Sequence, residues 1–256
     1  MAVAAAEAER TRLSSLRQSG ATKLVFPRQT TQAIEAILIN TAGGITGGDR
    51  FDLAATVHPG AQLTVTTQAA ERAYRAQTGE VGHVTTQLSV KRGGRLNWLP
   101  QELILFESCA LHRKLDIDLA QDAQLLMVEP LVFGRIAMGE TLRNIVFRDR
   151  ITIRRDGQPL YIDAMDLTGN AAGHLARTAV ANGAGAMATV VLIRPDAAAL
   201  LPIVRAALPA TAGATLIAED TLVLRHLAED SYVLRRDLVP ILERLSNRNL
   251  PTTWRL

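Results

Sequence analysis

The feature that most constrains the fold is a series of short apolar or alternating runs between residues 33 and 167. These runs are rich in Val, Ile, Leu and Thr, and turn residues separate them at a spacing of roughly ten residues, which is typical of all-β folds. The runs span residues 34–39, 51–57, 62–67, 83–90, 95–99, 103–106, 111–119, 124–129, 144–154 and 160–167. This pattern predicts a mainly β protein with many short strands.

The last third of the chain, residues 188–250, changes character and predicts strands together with two helices. An Ala- and Leu-rich stretch that follows Pro195 and ends near Leu208 has helical composition. Three apolar runs favour strands. They lie at residues 188–193, 214–218 and 222–227.

A second helix is predicted near the C-terminus from apolar residues that recur at intervals of three and four. These residues are Leu234, Leu238, Ile241, Leu242 and Leu245. Asp230 or Ser231 is the expected N-cap, and Pro240 is expected to kink or shorten the helix. Two interpretations of the apolar stripe stay open. It packs against the protein's own sheet, or Leu234, Leu238 and Leu242 form a partner-binding surface.

The chain is expected to form one domain over residues 1–256. No linker rich in Pro, Gly or Ser divides it, and no fixed-period repeat is visible. Residues 1–32 form an N-terminal segment without a predicted element, residues 33–167 form the strand-rich core, and residues 188–250 hold the strands and helices described above. The clearest hairpin signal is Arg-Arg-Asp-Gly at residues 154–157, between two strand-like runs.

Composition and charge exclude several classes of protein. Hydrophobic residues make up 48% of the chain and charged residues 21%, a balance typical of globular proteins. The 28 basic and 25 acidic residues leave a formal net charge of +3, too small an excess to indicate binding to nucleic acid or to an anionic membrane. Cys109 is the only cysteine, so neither an internal disulfide nor a zinc site with several thiolates is expected.

The N-terminal sequence and the hydropathy predict a cytoplasmic protein. The opening MAVAAAEAERTR has acidic residues before its first basic residue and no cleavable apolar segment, which is the reverse of a secretory signal. The nearest approach to a membrane span, residues 178–193, is shorter than the roughly 18 apolar residues that a span requires. We therefore expect neither export nor membrane binding.

The strongest local motif is the segment NTAGGITGGDR. Its paired glycines, Gly43, Gly44, Gly47 and Gly48, permit positive φ angles and close backbone approach, and Asp49 follows them directly. The segment lacks the Gly-Lys-Ser/Thr and Gly-x-Gly-x-x-Gly patterns of phosphate-binding loops. Composition alone therefore predicts a tight turn.

Acidic residues interrupt apolar runs at Glu71, Glu102, Glu129 and Asp163. A buried carboxylate is costly unless it is paired or bound to a metal, so two interpretations follow. Each carboxylate pairs with one of the many arginines, or some of them supply oxygen ligands to a transiently bound cation. The chain has no His-x-x-x-His, His-Glu-x-x-His or Gly-x-Ser-x-Gly motif, so no catalytic residue is assigned. A carboxylate-based hydrolase or lyase on a β scaffold stays open as an alternative.

Five segments together resemble the UreD family of urease accessory proteins, which is called UreH in some organisms. They are NTAGGITGGDR, GAQLTVTTQAAERAYR, LNWLPQELILFESCALHRK, LLMVEPLVFGRIAMGE and LPTTWRL. The motifs are dense between residues 33 and 140 and looser towards the C-terminus, so the resemblance covers most of the chain. The opening, rich in Ala and Glu, departs from the family pattern, and we expect the first strands of the family to be missing or rearranged here.

The resemblance implies a mainly β fold, a β-helix-like stack of short strands with two α-helices in the C-terminal third. It also implies a protein that is not an enzyme. Such a scaffold joins UreF and UreG, a nickel-binding GTPase, docks them on apo-urease, and is required for incorporation of the nickel metallocentre.

The resemblance further implies that no cofactor is tightly bound and that Ni²⁺ is held only transiently. In the family, an internal and partly acidic passage is thought to carry the ion. The matching carboxylates here are Asp49, Glu71, Glu129 and Asp163. An alternative from another class is a structural adaptor that never contacts metal.

Overall fold

The computed structural model describes residues 2–7, 10–28 and 31–255. Over these residues the chain forms seventeen strands and three α-helices, with two short 3-10 turns. The strands are β1 (Ala2–Glu7), β2 (Arg10–Leu16), β3 (Thr22–Val25), β4 (Ile34–Asn40), β5 (Arg50–Val57), β6 (Gln62–Thr67), β7 (Glu71–Ala73), β8 (Gly82–Val90), β9 (Arg95–Leu99), β10 (Leu103–Leu105), β11 (Ala110–Leu119), β12 (Gln124–Phe133), β13 (Ile145–Arg155), β14 (Gln158–Gly169), β15 (Ala186–Ile193), β16 (Ala212–Ala218) and β17 (Thr221–Ala228). The helices are α1 (Ala171–Leu175), α2 (Ala197–Ala207) and α3 (Ser231–Leu245).

Successive strands alternate between two stacked sheets. Strands β4, β6, β9 and β12 are parallel neighbours in one sheet, and β5, β8, β11 and β13 are parallel neighbours in the other. The front sheet has the order β14-β13-β11-β8-β5-β1-β2. The back sheet has ten strands: eight have the order β16-β17-β15-β12-β9-β6-β4-β3, β10 also pairs with β12, and β7 pairs with β10. The predicted fold class, a mainly β and β-helix-like stack, is confirmed.

Further strands, most of them in antiparallel pairs, extend the two sheets beyond the parallel stack. The predicted hairpin joins β13 to β14, and its central residues Asp156 and Gly157 have φ angles of 47° and 77°, as a tight hairpin turn requires. The N-terminal segment also forms strands, with β1 parallel to β5 and antiparallel to β2, and β3 antiparallel to β4. Strands are therefore present in the described part of this segment, and the expectation that the first strands of the family are missing or rearranged stays a prediction. The alanine-rich β1 has low β propensity, so its pairing with neighbouring strands and not its own sequence defines it.

Helices α2 and α3 pack on the outer face of the back sheet, against β15, β16 and β17. The apolar stripe of α3 is buried there, and Leu234, Leu238 and Leu242 have at most 1% of their surface exposed. This corrects the interpretation of these leucines as a partner-binding surface, because a side chain sealed in the core cannot contact a second chain. The face of α3 that stays exposed carries Tyr232 and Arg236.

Helix α3 begins at one of the two predicted caps and continues past its proline. The Asp230 carboxylate accepts a hydrogen bond from the Val233 backbone N–H at 2.8 Å. Pro240 lies on the exposed face, where water can bond to the Arg236 carbonyl that the missing N–H leaves free. The helix therefore reaches Leu245, and the expected shortening was wrong.

The sequence predicts two helices, and the structure adds a third, short one. Helix α1 follows β14, and the Asn170 side chain caps it by accepting a hydrogen bond from the Gly173 N–H at 2.9 Å. Its sequence, AAGHL, is too short to carry a helical periodicity, so a search for patterns passes over it. None of the helices in the described part of the chain is long and apolar enough to cross a membrane.

Candidate functional site

A layer of charged side chains interrupts the apolar interior between the two sheets. Alternate residues of a strand face the same side, and on three strands the inward residues read apolar, charged, apolar. They are Leu111-Arg113-Leu115 on β11, Met127-Glu129-Leu131 on β12 and Phe147-Asp149-Ile151 on β13. The apolar residues on the two sides belong to separate buried clusters. We call Arg113, Glu129 and Asp149 the ionic layer.

Arg113 contacts both carboxylates of the ionic layer. Its Nε and Nη2 atoms donate to the two Asp149 oxygens at 2.9 and 2.5 Å, and its Nη1 lies 2.6 Å from Glu129 Oε2. The indole Nε1 of Trp98 donates to Glu129 Oε1 at 2.6 Å. The exposed fractions of the Arg113, Glu129 and Asp149 side chains are 14%, 5% and 8%. One guanidinium therefore faces two buried carboxyl groups.

Burial and neighbouring charges set the proton affinities in the ionic layer. Burial opposes the positive charge of Arg113, but Asp149 and Glu129 outweigh that effect and raise the pKa of the guanidinium. Burial raises the pKa of the Glu129 carboxyl; Arg113 counteracts this rise and Asp149 adds to it. A cation that arrived beside Glu129 would favour the ionised carboxylate and so oppose this rise in pKa.

A first cavity reaches the ionic layer from the β4 side. Its volume is about 100 Å³, and its lining includes Asn40, Glu71, Trp98, Arg113 and Glu129. A space of this size admits several water molecules, because one water occupies roughly 10–15 Å³ on the same scale. Glu71 and Glu129 thus line one cavity, although 58 positions separate them in the sequence.

A second cavity continues on the other side of the ionic layer. It measures about 10 Å³, room for about one water molecule, and is lined by Asp149 and Asp163 as well as by Arg113 and Glu129. Asp163 forms an ion pair with Arg225, and the exposed fractions of these two side chains are 26% and 40%. Carboxylates therefore line both cavities, and the second cavity lies beside a partly exposed ion pair.

The glycine motif positions Glu71 in the lining of the first cavity. Asn40 Nδ2 donates to the Gly44 carbonyl at 2.8 Å and to Glu71 Oε2 at 3.1 Å. The Ile45 N–H donates to the Arg72 carbonyl at 2.7 Å, which pairs the loop with β7. The motif is thus more than a tight turn, because its first residue holds the loop and the carboxylate together.

The close approach of the loop to β7 makes Gly44 sensitive to substitution. A Cβ at this position would lie 2.9 Å from the Arg72 carbonyl oxygen and would overlap the Tyr74 ring. We expect Gly44→Ala to lower the free energy of unfolding by about 1–3 kcal/mol, the range for an overpacked site, as measured by urea denaturation. Gly213→Ala is the control, because a Cβ there meets nothing within 4 Å. Equal losses in the two variants would contradict the steric argument.

The protonation of Glu71 offers a second test of the first cavity. Burial raises the pKa of this carboxyl, despite hydrogen bonds from the Arg72 N–H and from Asn40. The folded state then binds the proton more tightly than the unfolded chain. This group therefore contributes stability below the usual carboxyl pKa and loses it as the pH rises through the raised value.

Wild type and Glu71→Gln should accordingly respond differently to pH. We expect the free energy of unfolding of the wild type, relative to the variant, to increase as the pH is lowered from about 7 to about 5. Urea denaturation of both proteins at several pH values measures this difference, and groups common to both cancel. A difference that is constant over this range would show that the pKa of Glu71 is not raised.

The structure brings together three of the four predicted carboxylates and leaves the fourth apart. Glu71 and Glu129 line the first cavity, and Glu129 and Asp163 line the second. Asp49 lines neither, and its carboxylate accepts a hydrogen bond from the Thr46 N–H at 2.9 Å inside the glycine-rich loop. In the part of the chain that the structure describes, no group of three or more His, Cys, Asp or Glu is arranged to hold a metal. We call the line formed by Glu71, Glu129 and Asp163 the carboxylate path.

Arginine pairing, the other interpretation of the interrupting carboxylates, applies to three of the four. The pairs are Glu129 with Arg113, Asp163 with Arg225, and Glu102 with Arg235. Glu102 lines neither cavity, and its Oε1 lies 2.9 Å from Arg235 Nη1. The two interpretations are therefore compatible, because two residues of the carboxylate path are also members of ion pairs.

Sequence reasoning missed Asp149, Asn40 and Trp98. Asp149 does carry a signal, because it takes the inward position between Phe147 and Ile151 on a strand whose alternate residues are apolar. Asn40 and Trp98 carry no comparable signal in the sequence. Each bonds to a carboxylate 31 residues away in the chain, and only the parallel pairing of distant strands brings these groups together.

The fold and the site define a class of protein: a two-sheet β-solenoid whose interior holds several carboxylates. Over residues 1–255 the chain matches the model of the UreD urease accessory protein family. It is 54% identical over 242 residues to the urease accessory protein UreD of Ruegeria pomeroyi, with 94% of each chain covered. It is 42% identical over 248 residues to that of Rhizobium etli, with 96% of this chain and 90% of the relative covered. The chain therefore belongs to the UreD family.

Proposed function

We propose that this chain is required for the maturation of urease, acting as a scaffold with UreF and UreG on apo-urease while nickel is incorporated. Family membership supports a role beside urease, since the relatives are named urease accessory proteins. The observation that carries the nickel step is the pair of cavities that share one wall, Arg113 and Glu129, and that carboxylates line on both sides. No catalytic role is assigned to the chain.

Transient binding of Ni²⁺ suits the carboxylate path. Carboxylate oxygens are harder ligands than the imidazole and thiolate groups that hold nickel tightly. Glu129 and Asp163 already have protein partners that compete with a bound ion. An ion in this environment would exchange one carboxylate for the next, and no single position would retain it.

Arg113 restricts the carboxylate path where the two cavities meet. Its guanidinium repels a dication and occupies oxygens of both Glu129 and Asp149. Ionised carboxylates attract the same ion. Passage therefore requires Arg113 to leave at least one carboxylate, a side-chain movement that does not disturb the pairing of the strands.

The test compares urease made with and without this chain. The urease operon is co-expressed in both forms, and bound nickel and urea hydrolysis are measured on the same purified urease. Without the chain we expect abundant urease with little nickel and little activity, and re-introduction of the wild type restores both. Equal nickel content and equal activity in the two preparations would overturn the proposal.

A further inference from the structure

A third, larger cavity lies on the outer face of the back sheet, away from the carboxylate path. Its volume is about 380 Å³. Strands β4, β6 and β9 form its floor through Glu35, Thr64 and Asn97, which are paired in register across the sheet. Pro27 and Arg28 on one side and Arg248 and Asn249 on the other form part of its walls. Polar side chains from distant parts of the chain thus converge on one space.

The charge of this cavity is strongly positive. Four arginines line it, at positions 28, 95, 248 and 255. Only Arg255 has a carboxylate within ion-pair distance, Glu243 at 4.0 Å; among the described residues Arg28, Arg95 and Arg248 have none. The one carboxyl group in the lining is Glu35, and burial raises its pKa.

The position of Arg95 in this cavity is unfavourable for its positive charge. Burial lowers the pKa of its guanidinium, and the neighbouring Arg194 lowers it further, although Asp196 acts in the opposite direction. A partly buried cation without a bonded anion is unfavourable in the folded protein. A negatively charged group bound in the cavity would remove that cost.

Asn97 supplies an independent indication of a ligand. Its side chain is only 5% exposed and lines the cavity. The Nδ2 atom donates to Thr64 Oγ1 at 3.0 Å, but the Oδ1 atom has no hydrogen-bond partner. Buried polar atoms are nearly always satisfied, and this acceptor gains a partner when the Asn97 side chain turns towards the cavity and meets a donor that is not part of the chain.

We propose that this cavity binds a phosphate group with a hydroxyl donor, either hydrogen phosphate or the phosphate monoester of a small polyol. The arginines bind the anionic oxygens with charge-assisted hydrogen bonds, and a hydroxyl of the ligand donates to Asn97 Oδ1. The space exceeds what a phosphate ion fills, which favours the ester. The site does not depend on nickel, because the back sheet separates it from the carboxylate path.

Titration calorimetry on the purified full chain tests this assignment at constant ionic strength and about pH 7.5. The probes are inorganic phosphate, glycerol 3-phosphate and sulfate. Sulfate has a similar shape and charge but no hydroxyl donor at this pH. We expect saturable binding of both phosphates and at least about tenfold weaker binding of sulfate, because Asn97 Oδ1 would stay unpaired. Tighter binding of glycerol 3-phosphate than of inorganic phosphate identifies the ester as the ligand.

Arginine variants test whether phosphate binds in this cavity. Arg28→Met and Arg248→Met change exposed side chains, so the fold is retained, and each should weaken phosphate binding about tenfold. Arg150→Met is the matched control, since it removes the same charge from the outer face of the front sheet. Absence of saturable phosphate binding, equal affinity for sulfate, or equal weakening by the control would overturn the proposal.

Discussion

Replacement of Arg113 by methionine is expected to lower the free energy of unfolding by about 3–5 kcal/mol. The variant keeps most of the side-chain volume but leaves Glu129 and Asp149 buried side by side without a cation. Their mutual repulsion and the lost ion pairs act in the same direction. Urea denaturation at neutral pH measures the change.

The matched control is Arg148→Met. Arg148 pairs with Asp166 at 3.0 Å on the next strand, but more than half of each side chain is exposed. Solvent and salt screen such a pair, so only a small loss is expected. A loss as large as that of Arg113→Met would mean that burial does not distinguish the two arginines, and the ionic layer would then have to be accessible to water.

Glu129→Gln is expected to reduce the nickel content of co-expressed urease by about tenfold, a loss typical of altered groups around a metal site. The change removes one negative charge from the wall between the cavities and keeps the size of the side chain. Arg113 retains Asp149 as a partner, so the fold should tolerate the substitution. Nickel per urease and urea hydrolysis are the readouts.

Glu102→Gln provides the control for this experiment. Glu102 is also buried and also paired with an arginine, but it lies outside both cavities. We expect urease from this variant to carry nickel at the wild-type level, provided that equal amounts of the chain are produced. If Glu129→Gln also leaves nickel unchanged, the carboxylate path is not used, and the metal-independent adaptor becomes the better description.

Much of the fold could be predicted from the sequence, because each strand of the stack carries its own apolar pattern. The predicted runs at residues 62–67 and 95–99 coincide with β6 and β9. The apolar stripe of α3 also identified a helix, although not which molecule it faces. An apolar stripe indicates that one face of the helix is buried. The structure is needed to show that the back sheet of the same chain covers that face.

The site was less accessible to prediction than the fold. Glu71, Glu129 and Asp163 stood out because charges inside apolar runs need a physical reason. Asp49 stood out for its motif, yet its role is to close a turn. The arginine-lined cavity left no local signal in the sequence, because its residues come from three distant parts of the chain and meet only after the sheets have formed.

The alternation of strands between the two sheets also affects how the chain folds. Leu115 of β11 lies beside Thr86 of β8 on one side and Ile151 of β13 on the other. Each strand therefore pairs with strands that are far away in the sequence. Pairing of this kind is slow, because loop-closure entropy is lost before the contacts compensate for it. Until folding is complete, apolar strands such as β12 and β15 are exposed and can aggregate. The yield of soluble chain should therefore respond to temperature and synthesis rate more than to equilibrium stability.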